Sequence, residues 1–63
     1  MCESKVILIE NGERKTIMEE AADIIIDGEQ ITLAGLLGES KKLKGSITQI
    51  NLMEHEVLIE PLK

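Results

Sequence analysis

This chain has one cysteine, Cys2, and one histidine, His55, as its nucleophile, base or soft-ligand candidates. Cys2 lies in MCES, ahead of an aliphatic run, where a packing cysteine would find little to pack against. What second place offers instead is the α-amine of Met1. That amine and the Met1–Cys2 amide nitrogen close one five-membered chelate ring around a metal, and the amide nitrogen and thiolate close another. The planar N,N,S set is complete once the amide is deprotonated and a fourth donor arrives. Such a set suits Ni(II) or Cu(II), whereas zinc takes a tetrahedron. Thiolate softness argues against magnesium and calcium. Loss of Met1 would leave an N,S pair from Cys2 alone. The bland alternative is a small residue tolerated after the start Met.

One chain offers too few strong donors for a stable site. Two adjacent chain starts would supply two thiolates and two sets of nitrogens, which predicts one metal ion shared per dimer. His55, in LMEHEVLIE, is the other candidate ligand; its bland reading is a surface turn. Met18 and Met53 read as core filler. The acid pairs Glu19-Glu20 and Asp27/Glu29 lack the ligand density of a calcium loop and read as solvated charge.

Catalysis finds little support. A Cys2–His55 pair would need the chain start and the last hairpin to meet, with a third residue orienting the imidazole. Gly35 and Gly38 lack the rest of any phosphate-loop motif. No catalytic residue is assigned, and the chain is expected not to be an enzyme.

The elements that must hold these residues read as strands. Apolar blocks alternate with turn chemistry at the spacing of a small all-β domain. Lys5–Glu10 is a β-branched strand, and Asn11-Gly12 is a hairpin turn because both residues tolerate positive φ. Glu13–Met18 reads as the return strand. Glu19–Asp23 reads as one helical turn or an irregular crossing, and Ile24–Ile26 as strand. Asp27-Gly28 and Gly38–Ser40 are turns around a strand at Gln30–Leu37. Lys41–Met53 is the longest segment, with Gly45 bending it, and Glu54-His55 turns the chain into Glu56–Glu60. Residues 1–63 thus predict one all-β domain, a small antiparallel barrel or strongly curled sheet of five to six short strands.

A 63-residue chain buries only about 60% of the surface its unfolded form exposes, so it is marginal alone. The run Lys5–Glu10 is apolar on both faces, Val6 and Leu8 on one and Ile7 and Ile9 on the other. The second face needs a cover, and the economical cover is another copy, which predicts a homodimer.

The net charge is −5 and there is no Phe, Tyr or Trp. An acidic chain gains no counterion-release affinity for phosphate backbones, and it lacks base-stacking platforms. Nucleic acid is therefore a poor partner, Lys41, Lys42 and Lys44 notwithstanding. No apolar run reaches signal-peptide or membrane-spanning length. The expected compartment is the cytoplasm, where a free thiol stays reduced.

The start MCES, the strand KVILIE, LLGE at Leu36–Glu39 and the ending HEVLIE resemble CooT, a family of small nickel-binding proteins associated with maturation of nickel-dependent carbon monoxide dehydrogenase. The resemblance spans nearly the whole chain, and MC at the start is its most specific element. It implies an all-β homodimer that binds nickel through Cys2, and through the amine of Met1, near the subunit interface. It also implies a client metalloenzyme or its maturation factors as partners. Members of that family have been labelled RNA-binding, against which the charge and missing aromatics argue. The chain is also similar, more weakly, to HypC-type hydrogenase maturation chaperones, which use an N-terminal Cys on a partner protein. It lacks their Gly-Val-Pro stretch, having Ser4-Lys5-Val6 instead.

Overall fold

The computed structural model describes residues 4–62. They form five strands: β1 Ser4–Glu10, β2 Glu13–Asp27, β3 Gln30–Gly35, β4 Ser40–Asn51 and β5 Glu56–Pro61. The sheet closes as a barrel in the order β1-β2-β3-β4-β5. The four successive pairs are antiparallel, as the turn signals predict. The closing pair, β1 with β5, is parallel. Parity requires this: in an up-and-down ring of five strands the first and last run the same way.

Turn chemistry sets three of the four corners. Gly12, Gly28 and Gly38 all have positive φ, and Asn11 at φ 54 joins Gly12 in the turn between β1 and β2. The segment Glu19–Asp23 forms no helical turn. It continues β2, whose register against β3 shifts between Ala21 and Asp23, so Ala22 is the extra residue of a bulge. The bulge lets β2 serve two neighbours, pairing with β1 before Ala21 and with β3 after it. At 15 residues β2, not β4, is the longest strand.

β4 makes the matching bend at Gly45. Its first half pairs with β3 up to Lys44, and from Gly45 onward it pairs with β5. A Cβ at Gly45 would lie 2.5 Å from the Glu60 carbonyl oxygen, so only glycine fits this close approach.

Inside the ring, Val6, Met18, Ala21, Ile31, Leu33, Val57 and Ile59 form one buried cluster. Val6, Ile31, Leu33 and Ile59 are fully buried, each stabilising the fold by about 2 kcal/mol. Met18 fills the core as its sequence context suggests, but Met53 does not. It is 88% exposed on the turn between β4 and β5, because the strand it was expected to extend ends at Asn51.

The outward face of β1 has a cover of its own. Ile7 is only 5% exposed although it lies outside the core cluster. Arg14, opposite Ile9, reaches Glu56, opposite Lys5, with Nη2 at 3.4 Å from Oε1. Residues 5, 7 and 9 share one face of β1. The ion pair therefore spans β1 on the face that carries Ile7, where the arginine methylenes can shield it while the charged end stays in water. The apolar outer face that predicted a second copy is thus partly closed by the chain itself.

Candidate metal centre

Cys2 and Met1 lie outside the described residues. The first described residues, Ser4 and Lys5, join the barrel beside the last hairpin. Ser4 pairs with Ala21 of β2, and Lys5 pairs with Glu56 of β5. The Lys5 N–H donates to the carbonyl of His55 at 2.8 Å. β1 and the last hairpin thus meet at the backbone through Lys5 and His55.

The His55 turn is built by a side chain. Asn51 Oδ1 accepts from the N–H groups of Met53 at 3.1 Å and Glu54 at 3.0 Å, curling the chain at the end of β4. His55 then takes a left-handed conformation, φ 56, that non-glycine residues seldom adopt. This conformation redirects the backbone into β5 and leaves the imidazole exposed between Glu54 and Glu56.

The turn between β3 and β4 lies at the same end. Ala21, the partner of Ser4, also pairs with Gly35, and the Leu36 N–H donates to the Glu20 carbonyl at 2.9 Å. Glu39 folds back over Gly35, and its Oε1 accepts from the Leu37 N–H at 3.1 Å. Two turns therefore flank the chain start, and they carry exposed apolar residues: Leu36 and Leu37 on one, Leu52 and Met53 on the other. Sequence reading missed this collar, since Leu36 and Leu37 pass for the end of a strand and Met53 for core. The signal was Gly38 with Asn51, the two residues that start chain reversal.

Among the described residues no group of three or more His, Cys, Asp or Glu side chains is arranged to hold a metal. Glu19-Glu20 and Asp27/Glu29 stay exposed on β2 and its turn, as solvated charge should.

A closed five-stranded barrel whose chain start is pinned beside an exposed histidine defines a small all-β class. The family model for the CO dehydrogenase accessory protein CooT matches residues 1–60, and the chain belongs to that family. It is also similar to a crystal structure from Carboxydothermus hydrogenoformans described as a CooT candidate. That match has a TM-score of 0.89 at 22% identity, covering 98% of this chain and 100% of the other; it shows the shared fold. An uncharacterized protein of Archaeoglobus fulgidus is 26% identical over 43 residues, covering 68% of this chain and 96% of its own length.

Proposed function

We propose that this protein is a nickel-binding accessory protein for maturation of nickel-dependent carbon monoxide dehydrogenase, taking Ni(II) as cargo through its Met1–Cys2 segment. Membership of an accessory-protein family supports the maturation role. The observation that supports the site is the backbone hydrogen bond from Lys5, three residues along from Cys2, to His55. The donor chemistry fits nickel: the Cys2 thiolate, the Met1–Cys2 amide nitrogen and the Met1 amine would form a planar set, with the His55 imidazole a candidate for the fourth position. The role is binding and delivery, without catalysis, in the cytoplasm.

The working unit in this reading is a homodimer with one ion shared between two chain starts. The exposed collar of Leu36, Leu37, Leu52 and Met53 supplies apolar surface at the end where those starts would meet.

Titration of the full chain with Ni(II), Cu(II) and Zn(II), alongside Cys2→Ser, tests the site, with intact mass establishing whether Met1 is present. The wild type should develop thiolate-to-nickel charge-transfer absorption, with one ion per two chains by metal analysis. Cys2→Ser should abolish the band and weaken binding beyond the roughly 10–100-fold that loss of an outer-shell partner costs. Equal, weak binding by both proteins would sink the reading. Light scattering of Leu37→Glu/Met53→Glu separates the dimer from the metal site, because a monomer that still shows the band refutes only the sharing.

A further inference from the structure

The seam between β1 and β5 is complete only at the end where the chain starts. In a parallel ladder a residue bonds the two residues that flank its partner. Lys5, opposite Glu56, donates to the His55 carbonyl. Ile7, opposite Leu58, faces Val57 and Ile59 in the same way. The next step would set Ile9 against Glu60, with the Ile9 carbonyl awaiting the N–H of residue 61. That residue is Pro61, which has none. The register accordingly stops at Leu8 and Ile59. Beyond it Glu60 and Pro61 stay paired with Ser46 and Gly45, and the Leu62 N–H turns to the Lys44 carbonyl at 3.1 Å.

β1 and β5 part there, leaving a cleft of about 390 Å³. Ile9, Glu10, Asn11 and Gly12 line one wall, and Glu60, Pro61 and Leu62 the other. By strand alternation the carbonyls of Ile9 and Pro61 both face the gap. Ile9, Pro61 and Leu62 give it apolar surface, while Glu10 and Glu60 make it acidic with no cation among its lining residues. It offers hydrogen-bond acceptors and lacks matching strand donors.

We propose that this cleft receives an extended, basic segment of a partner protein. The segment adds its N–H groups to the open edge of β1 and sets Lys or Arg side chains against Glu10 and Glu60. Charge selects the occupant: the chain carries −5, and among the described residues both ionisable groups lining the cleft are carboxylates. The chain's own basic run cannot fill this role in a second copy, because Lys41–Lys44 is already paired with β3. The cleft is distinct from the turns that flank the chain start, so the inference stands or falls independently of nickel.

Amide chemical-shift mapping of the full chain with acetyl-Arg-Val-Lys-Val-amide as probe tests this. Shifts should gather at residues 9–12 and 60–62, and Glu10→Gln/Glu60→Gln should weaken binding about fivefold. Pro61→Ala supplies the missing N–H: the amide introduced at position 61 should become protected from hydrogen exchange, and the peptide should bind more weakly. The proposal is overturned if no shifts appear at those residues, or if acetyl-Glu-Val-Asp-Val-amide binds as well. Reproduction of the effect by L-argininamide alone also overturns it, since a lone cation would then suffice. So does unchanged peptide affinity in Pro61→Ala with the new amide protected.

Discussion

Gly45→Ala isolates the corner on which barrel closure depends. The added Cβ would sit 2.5 Å from the Glu60 carbonyl oxygen and 3.2 Å from both the Pro61 Cα and the Ile59 Cγ2. Real Cβ contacts essentially never fall below 3.0 Å, so the β5 backbone must retreat by about half an ångström. β5 cannot move alone, because it is laddered to β1 on its other side and buries Val57 and Ile59. Overpacking of this kind costs about 2–3 kcal/mol. Reduced freedom of the unfolded chain returns about 0.5 kcal/mol, leaving a net loss of about 2 kcal/mol. A domain this size has a total stability of about 3–9 kcal/mol, so the loss is a large share. It corresponds to a fall in Tm of about 8–16 °C. Circular dichroism melts of wild type and Gly45→Ala measure it. Gly12→Ala is the control: nothing lies within 4 Å of its added Cβ, and only its φ of +79° opposes the change, a cost of about 1 kcal/mol. If Gly45→Ala melts within about 2 °C of wild type, the close approach does not constrain the corner.

Arg14→Ala should destabilise by about 1 kcal/mol, mainly by uncovering Ile7. Arg14→Met, which keeps the stem, should recover most of the loss in urea titrations, whereas a purely ionic role would leave Met as poor as Ala. His55→Gly should raise stability by up to about 1 kcal/mol by relieving the left-handed backbone, while weakening nickel binding; a variant both less stable and equally tight would contradict the site. Nickel affinity should climb steeply between pH 6 and 8. The metal must displace protons from the Cys2 thiol and the Met1 amine, groups that titrate near 8.5 and about 7.7–8.0 in free peptides. A flat profile by competition titration would exclude that ligand set.

The hairpin turns were legible in the sequence because turn chemistry is local. Asn11, Gly12, Gly28 and Gly38 are residue types that accept the positive φ they take at these turns, and aliphatic runs between them have few alternatives to strand. The expectation at position 2 could be framed from sequence for the same reason: the chelate geometry of an amine, an amide and a thiol depends only on bond connectivity. Relations between distant residues were not. EEAADIII could be a helical turn or a strand until β1 and β3 claimed its two halves, and the bulge at Ala22 exists only to satisfy both. Met53 lost its core position because Asn51 ended the strand earlier than hydropathy suggests. The cover over Ile7 comes from an arginine and a glutamate 42 residues apart, which no local pattern brings together. Sequence alone thus determined that this chain makes a small all-β fold, and what its first two residues could chelate. Closure decided the rest: a ring of five strands must join its first and last in parallel, which sets Lys5 beside His55 and leaves the seam open where Pro61 has no proton to give.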